Sequence, residues 1–132
     1  MRRQLKTAVL MLLLLAGCGG AGPETGEVAG RVTLDGQPLS GAVVEFTPQS
    51  GRPSFGMTDD DGRYMLGYTR DVEGALIGEH AVRITTSDPF ADNPEDRRER
   101  VPPMYNQQTT LSAIVDAGEN TLDFNLKSRS SE

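Results

Sequence analysis

Between residues 27 and 126 apolar side chains alternate with polar ones, in short runs broken by glycine- and aspartate-rich turns. In EVAGRVTL, residues 27–34, Val28, Gly30, Val32 and Leu34 share one face, and Ala29, Arg31 and Thr33 share the other. Period two is the pattern of a strand with one face buried and one in water. The same reading gives inward sets Ala42, Val44 and Phe46 in AVVEFTP and Tyr64, Leu66 and Tyr68 in RYMLGY. It gives His80, Val82 and Ile84 in HAVRITT, and Leu122, Phe124 and Leu126 in TLDFNLK. With SFGMT and LSAIV, seven short strands are predicted, joined by turns such as Asp35-Gly36 and DDDG. Strands at about 8–12-residue spacing specify an all-β sandwich. With no Trp, four Phe and three Tyr, its core is light and leaves little room for an interior cavity.

The first residues follow another logic. Arg2, Arg3 and Lys6 precede an apolar run, AVLMLLLL at 8–15, and then the small residues Ala16 and Gly17. This is the build of a secretory signal, and the run is well short of the roughly 20 residues a spanning helix needs. Leu15-Ala16-Gly17-Cys18 resembles the bacterial lipobox, whose cysteine takes a diacylglyceryl group and becomes the first mature residue. Cys18 is the one cysteine of the chain, so no intrachain disulfide is possible. Lipidation is expected there, with palmitate among the acyl chains. Each buried CH₂ contributes about 0.8 kcal/mol, and two or more chains hold a protein stably on a bilayer. The chain then divides into a signal at 1–17, a lipidated Cys18 with a flexible tether at 18–25, a sandwich at 26–127 and a disordered tail at 128–132. Gly19 in place of Asp suggests the outer membrane or periplasmic side rather than retention at the cytoplasmic membrane.

Without the first 17 residues, ten basic side chains face nineteen acidic ones, a net charge of −9. Such a surface repels phosphate backbones and anionic headgroups, which argues against nucleic acid as a partner.

GRVTLDGQPLSGAVVEF, TDDDGRYML, GEHAVRI and AGENTLDFNL together resemble the carboxypeptidase regulatory-like domain, a transthyretin-like (prealbumin-like) sandwich. The whole is similar to short lipoproteins bearing this domain in planctomycete-type bacteria. The resemblance covers about residues 26–127 and rests on turn and apolar positions, so it implies a fold and no reaction. His80 departs from it, since the family usually carries an aromatic such as Tyr there. Some transthyretin-like proteins hydrolyse ureides, using several histidines and a C-terminal motif that this chain lacks.

Candidate sites are few. Asp59, Asp60 and Asp61 before Gly62 suggest a weak calcium site. In an EF-hand frame, however, Met57 and Tyr68 fall on the positions of two strong ligands, and a hairpin turn is the favoured reading of the segment. His80 is the one histidine, and there is no second Cys, no G-x-S-x-G and no H-E-x-x-H, so neither a catalytic residue nor a cofactor is expected. Met57, Met65 and Met104 read as core or edge filler. Ala75, Leu76 and Ile77 read as packing under the sandwich. The long connection SDPFADNPEDRRERVPPMYNQQ, residues 87–108, is the main irregularity, since such loops are functional or disordered. Asn93 as N-cap and Pro94 at the first position predict one to two helical turns that end at Pro102-Pro103. Val101, Met104 and Tyr105 are expected to hold it to the sandwich. Arg97, Arg98 and Arg100 form its basic patch, a candidate clamp for a partner's carboxylate or phosphate. Three functions stay open: a non-enzymatic, membrane-anchored module contacting an envelope protein or glycan, a binder of calcium or carbohydrate, and a spacer without a ligand.

Overall fold

The computed structural model describes residues 24–128. The predicted signal, Cys18 and most of the tether lie outside the described residues. Ten strands follow in order: β1 (Thr25–Leu34), β2 (Gln37–Pro38), β3 (Val43–Pro48), β4 (Ser54–Met57), β5 (Arg63–Met65), β6 (Ala75–Leu76), β7 (Gly78–Thr85), β8 (Leu111–Val115), β9 (Glu119–Thr121) and β10 (Phe124–Leu126). They form two sheets, and the fold is an all-β sandwich.

One sheet is antiparallel throughout, in the order β4-β3-β7-β8. The other is built around β1. It pairs antiparallel with β2, β5 and β6 and parallel with β9 and β10. Ala29 pairs with both Met65 and Thr121, so β1 is flanked on both edges. The alternating residues meet between the sheets: Val28, Val32, Val44, Phe46, Val82 and Ile84 are each at most 1% exposed. Full burial of one such side chain is worth about 1.5–3 kcal/mol. Phe46 sits at the centre, edge-on to Phe124 with ring centroids 6.1 Å apart.

Several details correct the sequence reading. The strand expected over 121–127 is broken into β9 and β10, which run parallel to β1 in one register, because the Leu122 carbonyl crosses closely over Gly30. A Cβ there would stand 1.9 Å from the Leu122 carbonyl oxygen. At the break the Leu122 N–H donates to the Ala29 carbonyl (2.8 Å), and Asp123 Oδ1 accepts the Arg31 N–H (2.8 Å). Tyr64, paired with Gly30 from β5, reaches over that glycine to the same place and donates its hydroxyl to the Leu122 carbonyl at 2.6 Å. Burial, with the Asp123 carboxylate adding to it, pushes the Tyr64 phenol well above its ordinary pKa. The strand expected over 63–68 ends as β5 at Met65, and Gly67 makes only isolated bridges, to Phe55 and to Glu73. Tyr68 is therefore half-buried rather than core, with the Arg52 guanidinium 5.6 Å over its ring. Met57 and Met65 are 65% and 62% exposed, whereas Met104 packs against the core. Ala75 is fully buried, but Ile77 faces out at 40% exposure.

The two ends of the sandwich are distinct. At one, Thr25 pairs with Leu76, Gly78 pairs with Val115, and the Glu27 N–H donates to the Gly118 carbonyl. At the other, Leu34 pairs with Gln37 and Val43 pairs with Thr85. The ten residues of β1 separate these ends by about 30 Å at roughly 3.3 Å per residue.

Candidate functional site

The connection from Thr85 to Leu111 leaves the sandwich at the end away from Thr25. Its helical content falls within the one to two turns expected, but it is 3-10 in type and ends earlier. A 3-10 turn, Pro94–Arg97, starts where expected: Asn93 Oδ1 accepts the Glu95 N–H at 3.0 Å, and Pro94 needs no donor. The turn then stops, because Arg98 returns to extended backbone. Of the three arginines only Arg97 lies within it. Pro102-Pro103 does not end a helix either. It starts a second 3-10 turn, Pro103–Tyr105, with Tyr105 buried beneath it.

What holds the connection is a set of polar anchors that sequence reasoning missed. Glu99 Oε1 accepts from the Thr86 N–H (2.7 Å), the Thr86 hydroxyl (2.8 Å) and the Val101 N–H (3.2 Å). Thr86 Oγ1 in turn accepts the Arg100 N–H at 2.7 Å. Asn106 is 3% exposed, and its Nδ2 donates to the carbonyls of Ile84 (3.2 Å), Val101 (3.3 Å) and Pro102 (3.3 Å). Arg83 Nε donates back to the Asn106 carbonyl at 3.0 Å. The Thr109 hydroxyl donates to the Val82 carbonyl. Val101 and Tyr105 enter the core, and the Tyr105 hydroxyl accepts the Lys127 N–H at 3.1 Å. Neither Glu99 nor Asn106 stands in an alternating run, so no periodicity marks them.

The arginines do not converge into a clamp. Arg97 Nε donates to the Ala91 carbonyl (2.7 Å), and Arg100 Nη2 donates to the Ser40 carbonyl (2.7 Å). The Arg98 side chain has no partner among the described residues. The same stretch carries Asp88, Asp92, Glu95, Asp96 and Glu99, so three arginines against five carboxylates leave it at −2. Beside it runs a groove of about 550 Å³, lined by Val43, Met57, Ser87, Asp88, Asp96 and Arg100. Among the described residues one ion pair forms, Arg83 with Glu45 at 3.8 Å, so Arg100 and Asp96 line the groove without neutralising each other. Phe90, adjacent to the groove-lining Ala91, is 91% exposed, the most exposed large hydrophobic of the described residues. Its N–H is held by Asp88 Oδ1 at 2.9 Å, which fixes the backbone beneath the ring.

The other candidates lie apart from this groove. Asp59 Oδ1 accepts the backbone N–H groups of Asp61 and Arg63, both at 2.9 Å, and Gly62 has φ 79°. A Cβ on Gly62 would stand 2.5 Å from the Val32 carbonyl oxygen, so both conformation and space require glycine. Asp59 thus serves the turn. Among the described residues no three His, Cys, Asp or Glu side chains converge for a metal. His80 is 2% exposed, with Nε2 2.7 Å from the Leu76 carbonyl and its ring 5.5 Å from that of Phe46. Since a carbonyl only accepts, Nε2 carries the proton. His80 Nδ1 and Ser54 Oγ are buried without a hydrogen-bond partner among the described residues.

No protein-family model matches the chain, and no curated protein matches it. Among solved structures, the crystal structure of a DUF3823 family protein from Parabacteroides merdae ATCC 43184 is similar to it, with a TM-score of 0.41 and 16% identity. The similarity covers 80% of this chain and 46% of that one, so the chain spans about half the length of that protein.

Proposed function

We propose that this chain is a non-enzymatic β-sandwich module of the carboxypeptidase regulatory-like kind. In this reading it is lipid-anchored through Cys18 on the outer-membrane or periplasmic side of the cell envelope and contacts an envelope protein or glycan. The observation that carries the reading is the polarity of the sandwich. The strand that follows the tether starts at Thr25, whereas the groove, Phe90 and the three arginines lie at the other end, about 30 Å away. A domain tethered at one end presents the opposite end to whatever it meets. An aromatic in the open, next in the chain to Ala91 whose carbonyl holds Arg97, is the kind of surface that supplies anchors in protein interfaces.

Two measurements test this. Cys18→Ser is expected to move the protein from the membrane to the soluble fraction and to remove the mass of the acyl chains. An unchanged fraction and mass would refute the anchor. A photocrosslinker at Phe90 is expected to capture a partner in the native envelope where one at Ala117, on the anchor-proximal turn, does not. Equal capture from both positions, or none from either, would refute the contact end. A second reading, a small-ligand site for calcium or carbohydrate, has in its favour only the groove, whose volume lies within the roughly 300–1,000 Å³ of small-molecule sites.

A further inference from the structure

The outer face of the sheet around β1 sorts its charges into rows. Glu27, Ala29 and Arg31 point out of it, and their partners on β5 and β9 extend each row sideways. In one row Glu27 pairs with Glu119, and Glu73 lines the same depression. In another Arg31 pairs with Arg63, with Asp123 beside them. Like charges set directly opposite on neighbouring strands destabilise a sheet. Nothing nearby relieves them: the one ion pair among the described residues is Arg83 with Glu45, and the side chains of Glu27, Glu73, Glu119 and Arg63 have no partner there. Positions 27 and 31 stand about 13 Å apart at roughly 3.3 Å per residue, and no ion pair crosses between the rows. Between them runs Met65–Ala29–Thr121, in which two side chains are small and Met65 is 62% exposed. Two depressions, of about 240 Å³ on the carboxylate side and about 350 Å³ on the arginine side, share these three residues. Natural chains break a local rule twice on one face chiefly where a ligand completes it.

We infer that this face binds a short peptide with both termini free, laid along β1 with its ammonium on Glu27, Glu73 and Glu119 and its carboxylate on Arg31 and Arg63. The order of charges selects that occupant. A polyamine would be repelled at the arginines and a dicarboxylate at the three glutamates, and a neutral sugar leaves both like-charged pairs unrelieved. A dipolar ligand relieves both. Arg63 brings its whole guanidinium fork to a carboxylate. Arg31 brings its two terminal nitrogens, since its Nε donates to the Asp61 carbonyl at 3.0 Å. Asp123 opposes an anion less than a free carboxylate would, because its Oδ1 accepts the Arg31 N–H at 2.8 Å. Length fits as well. Three extended residues span about 10 Å, a gap that flexible Glu and Arg side chains close from rows about 13 Å apart. The peptide's small side chains then lie over Ala29 and Thr121, against the soft thioether of Met65. The site involves neither the groove nor Phe90.

The test titrates the full chain, isotope-labelled and in non-ionic detergent, with trialanine and follows the backbone amide resonances. Saturable shifts at Ala29, Met65 and Thr121 are expected at roughly millimolar peptide, the range for two charge contacts open to water. N-acetyl-trialanine lacks the ammonium and trialanine amide lacks the carboxylate, and each is expected to bind about fivefold more weakly. Arg63→Gln is expected to bring trialanine and its amide within about twofold of each other. Glu27→Gln combined with Glu119→Gln is expected to do the same for trialanine and its N-acetyl form. Each variant relieves a like-charged pair, so neither is expected to lower Tm. No saturable shift below about 50 mM peptide overturns the inference, as does equal binding of the three peptides or a preference that the variants leave unchanged. A lowered Tm overturns it too, since the pairs would then belong to the fold. None of these results bears on lipidation or on the Phe90 end.

Discussion

Asn106 gives the sharpest test of how the connection between β7 and β8 is held. Its amide has two hydrogens for three carbonyls, those of Ile84, Val101 and Pro102, at 3.2–3.3 Å. Its Oδ1 accepts the Gln107 N–H at 2.7 Å. Replacing it with Ala removes both donors at a position 3% exposed, and water has little access to substitute for them. A buried polar group left without a partner costs about 1–3 kcal/mol, and the lengths here put each near the lower end. Two lost donors amount to about 2–3 kcal/mol. For a domain of about 100 residues, 1 kcal/mol moves Tm by about 4–8 °C, so Asn106→Ala is expected to lower Tm by about 10–20 °C. Asn106→Asp keeps the shape but sets a carboxylate against the same three carbonyls, and it should destabilise more than Ala. Thermal unfolding followed by circular dichroism gives both numbers, and hydrogen exchange over 86–110 shows whether the loss is local. An Ala variant within about 0.5 kcal/mol of wild type, or an Asp variant as stable as wild type, would show that the carbonyls do not depend on this amide.

Two further outcomes follow from the crossing at Gly30. Gly30→Ala puts a methyl 1.9 Å from the Leu122 carbonyl oxygen, which is backbone, so β1 and the β9–β10 break must separate. Overpacking costs about 1–3 kcal/mol and more where backbone must move, so a loss of at least about 3 kcal/mol in urea unfolding is expected; a neutral substitution would show that the crossing is loose. Tyr64 carries a pH dependence. Its folded pKa is raised above the unfolded value of about 10. The resulting stability is fully present below that value and is lost as pH rises past it. Wild type should lose stability above about pH 10 more steeply than Tyr64→Phe in paired alkaline melts, and parallel curves would contradict the assignment.

The strands were legible because their signal is additive. In Ala42, Val44 and Phe46, or in Val82 and Ile84, every second residue is inside, and the sheet pairing follows. What the sequence hid was non-periodic. The split of the last strand depends on a carbonyl arriving over Gly30 from 92 residues away, and a glycine in an alternating run looks like any other inward position. Tyr68 was misplaced for a related reason: β5 ends at Met65, so the alternation runs on in the sequence after the strand has stopped. In the connection, Asn93-Pro94 located the turn, since capping is local chemistry. The anchors Glu99 and Asn106 act at sequence separations of 13 and 22 residues, on groups that carry no mark of their own.

The three arginines show how local charge separates from global charge. Read along the sequence, Arg97, Arg98 and Arg100 are a basic cluster on an acidic body, which suggests attraction of anions from a distance. Folded, two of the guanidiniums are tied to backbone carbonyls, and five carboxylates share their segment. At physiological salt the Debye length is about 8 Å. A partner approaching that end therefore first meets a surface of slight negative charge, not a basic beacon. Arg100 and Asp96 both line the groove and both stay exposed, with no ion pair between them. In the contact role proposed above, such an arrangement recognises at contact rather than steering from afar. In that role the apolar lining of Val43 and Met57, and the exposed ring of Phe90, are what gives an encounter its strength.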